Sequence, residues 1–266
     1  MKYIRTLFLL AAILFSPLER LNASGHGPVF ALATPTSPRG GWSFDTSFMS
    51  RLGAGSGAMF RGTLGYGITE NLKVSVSAPL VFRSERFLPS RTSAFTPMGG
   101  DFEGLALWRF HRSDFGVGAR FETTAIGGLL VPGPQETGGT GGMAGIVTGV
   151  ASRSHYVWGG ASYQRYAASH EERRPDLLFY SFAYAYRPPS WRKDQGWDWR
   201  IFGECTGERA GMPGNPAHQV FVGPTTLGVY KNYAVSAGVQ YAAHSNIAAS
   251  QRREQVRVAL NFAWFF

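Results

Sequence analysis

The chain has 266 residues and carries 26 Lys and Arg against 17 Asp and Glu, a formal net charge of +9. The basic excess is spread along the sequence with no zinc-finger, RRM or recognition-helix pattern, so no nucleic-acid partner is expected. The single Cys205 excludes an intrachain disulfide framework and a cysteine zinc cluster.

At the amino terminus Lys2 and Arg5 precede an apolar run at 7–15. That run is shorter than the roughly 20 residues a membrane helix needs and suits a secretory signal. The expected division is a signal peptide at 1–23, a periplasmic N-terminal segment at 24–40 and an outer-membrane β-barrel at 41–266. The remaining chain combines 14% aromatic residues and 34 glycines with an apolar share of 44%. Barrel walls have this composition, because half of every strand can stay polar while aromatics and glycine line the rest.

Period-two segments bounded by turn residues then follow in order, at 42–51, 58–68, 72–83, 101–111, 115–126, 144–153, 156–166, 177–187, 197–206, 219–230, 233–242 and 254–266. Their number is about twelve, or ten if the weakly patterned pair at 144–153 and 156–166 is misread. Short connections at 69–71, 112–114, 154–155 and 231–232 alternate with longer ones at 84–100, 127–143, 167–176, 207–218 and 243–253, the asymmetry of bacterial barrels. The fold class is therefore all-β, a closed antiparallel transmembrane barrel in the bacterial outer membrane.

Parity assigns the faces. Trp42, Phe44, Phe48, Phe60, Leu64, Val76, Leu80, Trp108, Trp199 and Ile201 fall on one side and would meet lipid. The other side holds Asp45, Arg51, Arg61, Lys73, Arg83, Glu103, Arg109, His111, Arg120, Glu122, Arg200, Glu204, Gln240 and Arg257. An arginine facing lipid at mid-height costs roughly 2–4 kcal/mol, so a one-residue slip of register is strongly disfavoured. The last strand alternates without a break, with Val256, Val258, Leu260, Phe262, Trp264 and Phe266 outward. Phe262, Trp264 and Phe266 form the expected signal for the β-barrel assembly machinery.

Two stretches carry a family resemblance. Gly27-Pro28-Val29-Phe30-Ala31-Leu32-Ala33-Thr34-Pro35-Thr36 followed by Gly40-Gly41-Trp42-Ser43 is one. The other runs from Phe221-Val222-Gly223-Pro224 through Tyr230-Lys231-Asn232-Tyr233 to Gly238-Val239-Gln240-Tyr241. With the terminal strand, they resemble outer-membrane barrels loosely grouped as transporters with proteins of the meta-pathway of phenol degradation. The resemblance implies a channel or uptake barrel for small, often hydrophobic molecules. The chain departs from the family at Ala242-Ala243-His244, where a Leu-Pro ending is common.

The inward set Arg61, Lys73, Arg109, Arg120, Arg200 and Arg257 would focus a positive potential on the lumen and attract anions. The alternative is a sealed interior in which these residues pair with Asp45, Glu103, Glu122 and Glu204 and fill the space. Residues 127–143, rich in glycine, would be an external loop able to gate. His244-Ser245 superficially resembles the pair of a lipid hydrolase, but neighbours on a strand point to opposite faces. His170-Glu171-Glu172 is the one stretch suited to a divalent cation, and loop acids beside histidine usually only solvate. The expected function is passive passage of small solutes, anionic or aromatic compounds among them; a structural or loop-display barrel is the alternative. No enzyme activity, metal or cofactor is expected. The expected partners are outer-membrane lipid and lipopolysaccharide, the assembly machinery during insertion and a small-molecule solute.

Overall fold

Strict alternation of apolar and polar residues can bury its polar half only by curling the sheet on itself. The computed structural model describes residues 27–34, 37–53, 57–82, 100–116, 118–133, 139–167, 175–191, 196–211, 217–247 and 254–266. Its described residues form twelve antiparallel strands: β1 (Trp42–Gly53), β2 (Gly57–Gly67), β3 (Leu72–Phe82), β4 (Phe102–Phe115), β5 (Ala119–Val131), β6 (Gly141–Ala151), β7 (His155–Tyr166), β8 (Asp176–Tyr186), β9 (Asp198–Gly211), β10 (Ala217–Tyr230), β11 (Tyr233–Asn246) and β12 (Glu254–Phe265). Each strand pairs with its sequence neighbours, and β12 pairs with β1 to close the barrel. β6 and β7 are separate strands, which removes the ten-strand alternative.

The closing seam matches Phe44 with Trp264, Phe48 with Leu260 and Arg51 with Arg257. At the end of the seam, Trp42 and Phe266 exchange backbone hydrogen bonds of 2.7 and 3.0 Å. Closure satisfies the two ladders that an open sheet would leave bare, as a hydrocarbon environment requires. Val76, Leu80, Leu129, Leu260 and Phe262 all stand exposed on the outer wall. Such a surface belongs to a lipid-facing barrel, and the bacterial outer membrane is where it resides.

The short connections after β2, β4, β6 and β10 gather at one end, which is therefore periplasmic. Lys231 takes a φ of 50° in the two-residue hairpin there. Thr69 Oγ1 accepts from the backbone N–H of Asn71 and Leu72, closing the first turn.

Several expectations are corrected. Residues 112–114 continue β4, and the turn lies instead at Gly116 and Gly118, whose φ values of 59° and 76° suit glycine. Much of the anticipated loop at 127–143 is wall, because β5 reaches Val131 and β6 starts at Gly141. A bulge between Arg109 and His111 inserts Phe110 and flips the parity below it. His111 consequently stands on the outer face, 5.6 Å from the Phe121 ring, rather than in the lumen. β11 runs through Ala242-Ala243-His244 to Asn246. Arg83 and the stretch 170–172 lie outside the described residues.

The largest correction concerns the segment before β1. Residues 27–34, expected in the periplasm, stand inside the barrel, where Val29, Phe30, Ala31 and Leu32 are buried. Three aliphatic or aromatic side chains in so short a run gain about 1.5–3 kcal/mol each on leaving water.

The outer wall makes a direct test of register. Leu260→Arg places a guanidinium on lipid near mid-height and is expected to lower unfolding stability by about 2–4 kcal/mol. Urea titration of the barrel refolded into liposomes measures the loss, with Asn261→Arg on the inner face as the contrasting substitution.

Candidate functional site in the barrel lumen

The segment enters across the periplasmic rim. Gly40, at a φ of 77°, donates its N–H to the Gly67 carbonyl at 2.7 Å, and Gly67 donates to the Gly41 carbonyl at 2.9 Å. The Pro38 carbonyl lies where a Cβ at position 67 would project, so only glycine leaves room for this crossing. Inside, Thr34 Oγ1 donates to Glu122 at 3.1 Å and the Leu32 N–H to Ser181 Oγ at 2.9 Å. The chain then reverses, because Gly27 returns to lie against Ala33.

At the tip, one carboxylate grips three consecutive amides. Val29 donates to Glu204 Oε1, and Phe30 and Ala31 donate to Oε2, each at 2.7 Å. Thr225 Oγ1 donates to Oε1 as well. Successive N–H groups pointing inward along a bend make a concave anion site, here filled by a side chain of the same molecule. Glu204 makes no ion pair among the described residues, so its charge is balanced by amide dipoles and a hydroxyl. Hydrogen bonds to a charged group contribute roughly 1.5–3 kcal/mol each.

The tip is also a wedge against three sectors of wall. Phe30 packs with Met49 of β1 and Ala259 of β12. Leu32 points the other way, into Leu105, Leu107, Ile126 and Phe179. Between them Ala31 and Ala33 rest on an aromatic plate. In that plate Tyr156 and Trp158 stack at 5.6 Å and 16°, and Trp158 stacks on Phe202 at 6.1 Å and 17°. Phe202 lies on β9, two strands from β7, and the rings meet because the intervening partners are Ala183 and Ala185. Below the wedge a cavity of about 20 Å³ is lined by Gly27, Pro28, Asp45, Leu227, Ser236 and Asn261. One water would fill it.

Apart from His111, the described residues predicted to point inward are on the inner face, but most are paired. Arg61 Nη1 lies 3.0 Å from Glu103, and Arg109 Nη1 lies 2.9 Å from Glu122. Arg120, partly exposed at the periplasmic mouth, reaches the same Glu122 at 3.3 Å. Lys73 extends its stem over Gly65 and interacts electrostatically with Asp45. Arg200 pairs with Asp198 at 3.3 Å and lies 4.9 Å over the Tyr156 ring. Arg257 Nη1 donates to Glu208 at 2.7 Å and Nε to Glu254 at 2.7 Å, with Phe221 beneath its guanidinium at 3.6 Å. Arg51 completes this external layer, 3.8 Å from Glu254.

Among the described residues these inward cations each have an acidic side chain nearby, which offsets the positive field expected from them. Arg61 and Arg257 are 1% and 0% exposed, so both guanidinium groups are shielded from water. Breaking such a pair from one side costs about 3–5 kcal/mol. His244 and Ser245 separate as alternation demands. Ser245 accepts from Gln219 Nε2 inside at 3.2 Å, whereas His244 meets the His218 ring outside at 5.4 Å.

Sequence reasoning missed Glu208, Glu254, Ser181 and Thr225 as parts of the interior. Glu254 joins Arg257, three residues on, because a bulge shifts the pairing at Leu52/Gly53 and leaves Gln255 extra. The apolar run 29–33 was a signal for the plug: in water it would leave Val29, Phe30 and Leu32 uncovered. No protein-family model and no curated protein matches the chain. Among solved structures, it is similar to an outer-membrane channel from Pseudomonas putida F1 at 12% identity and a TM-score of 0.61, over 91% of this chain and 99% of that one. It is also similar to the NanC porin at 8% identity and a TM-score of 0.53, over 84% and 99%. These likenesses are of fold: both are outer-membrane barrels.

Glu204→Ala removes the acceptor that holds the tip. In a Cys205→Ser background carrying Ala31→Cys, maleimide labelling is expected to accelerate at least about ten-fold when Glu204 is replaced. Equal labelling rates would show that apolar packing alone holds the segment.

Proposed function

We propose that this protein is an outer-membrane channel for passive passage of small solutes, kept closed by its own inturned N-terminal loop. The observation that carries the reading is the manner of docking. The loop belongs to no strand, and its tip is held by hydrogen bonds to a lone carboxylate that water can replace one for one. A barrel of twelve strands is wider than the eight-stranded kind that wall side chains fill, so the loop occupies space a solute could use. The similarity in fold to an outer-membrane channel and a porin supports the same reading.

Displacing the loop bares the plate of Tyr156, Trp158 and Phe202 with Arg200 at its edge. A planar ring can slide over such a surface while a guanidinium attracts an acidic substituent. This favours aromatic, weakly acidic solutes, and the sequence resemblance to barrels grouped with phenol-degradation proteins points the same way. Selection for anions would come from Arg200 locally, because the Asp198 that it pairs with is shared with Arg187. The gate is then the N-terminal loop rather than the connection between β5 and β6.

The competing reading is a permanently closed structural barrel, favoured by the Arg257, Glu208 and Glu254 layer, which fills the external half independently of the loop. Planar-bilayer recording separates the two. Deleting residues 27–34 is expected to convert rare openings into frequent discrete conductance steps and to admit benzoate into liposomes. A deletion variant that folds, shown by retained heat-modifiable migration, yet neither conducts nor admits benzoate would favour the closed barrel.

A further inference from the structure

On the outer wall, at the external ends of β8 to β11, a cationic and imidazole cluster faces the lipid boundary. We propose that it is a binding site for the phosphorylated sugar headgroup of an outer-leaflet glycolipid. The cluster is assembled across three strands. His218 of β10 stands opposite Arg209 of β9, and its ring lies 5.4 Å from His244 of β11. Tyr180 of β8 reaches His218 from the other side, its hydroxyl 2.8 Å from Nε2.

That reach depends on Gly207. Tyr180 is opposite Gly207, and its ring occupies the place a Cβ there would take, so the tyrosine crosses β9 to touch β10. The crossing orients the His218 ring. Arg209 is exposed and has no carboxylate partner among the described residues, in contrast to the paired arginines of the lumen. The acid nearest in register, Asp176, is engaged by the Tyr163 hydroxyl at 2.7 Å. Two imidazoles in contact, beside a guanidinium with no carboxylate partner among the described residues, present N–H donors to an anion placed among them.

Height selects the anion. Tyr230, in the periplasmic aromatic girdle beside Trp197, is twelve residues from His218 along β10. At about 3.4 Å per residue and a tilt near 40°, His218 stands roughly 30 Å higher, just beyond an apolar band about 25 Å tall. Val220, Val222 and Tyr241 lie on the outer face below it. The cluster is therefore at headgroup level, with acyl-chain contacts beneath and phosphate-binding groups above, which a free anion would not need. Guanidinium-to-phosphate hydrogen bonds are charge-assisted and directional.

Native mass spectrometry of the full-length barrel in detergent tests the assignment. Addition of diphosphorylated lipid A is expected to give a one-to-one complex that Arg209→Ala/His218→Gln/His244→Gln weakens by about ten-fold or more. Arg112→Ala, at the periplasmic end, is expected to leave it unchanged, and heat-modifiable migration checks that each variant is folded. Equal binding by the folded triple variant, equal binding of dephosphorylated lipid A, or displacement by inorganic phosphate at low millimolar concentration would each overturn the proposal.

Discussion

Everything in this molecule depends on the hydrogen-bonded seam between β1 and β12. Lipid offers no partner to a bare N–H or carbonyl, so twelve strands that each need two neighbours can persist there only as a ring. Once the ring closes, the period of two sorts side chains without exception along each regular strand. Apolar residues meet acyl chains, and each charged residue of the inner set shares a confined interior with the others.

That confinement explains the ion pairs. Arg61 with Glu103, Arg109 with Glu122, and Arg257 with Glu208 and Glu254 are not ornaments on a wet pore but the condition under which so many charges tolerate burial. Glycines and alanines set how they meet. Gly65 lets the Lys73 stem cross β2, and the alanines of β8 let Trp158 reach Phe202. Small residues on one strand allow large ones on its neighbours to touch, which close packing inside a curved wall requires.

The interior has two kinds of closure. The external layer around Arg257 is built from wall side chains alone and is stabilised by mutual charge. The loop at 27–34 is held by amides on Glu204 and by apolar wedging of Phe30 and Leu32. Water entering the lumen can solvate Glu204 and the freed amides but offers nothing to Phe30 and Leu32. The balance between these contributions governs whether the loop stays, and it makes the loop the movable part.

Alternation in the sequence was sufficient to determine the barrel itself and the facing of Phe44, Leu260, Arg61 or Glu204, because a period of two has one face per parity whatever the surroundings; the choice between ten and twelve strands fell to the pairing of β6 with β7. It could not determine which inward charges find one another. Arg257 and Glu208 are far apart in the chain, and their meeting depends on shear and strand order. It also lost track wherever a bulge added one residue, as at Phe110 and Gln255, since parity carries no memory of an insertion. Above all, only the closed barrel decided the place of Val29 to Leu32. A short apolar run carries no address of its own, and the lumen becomes the one sheltered volume within its reach once the wall has closed around it.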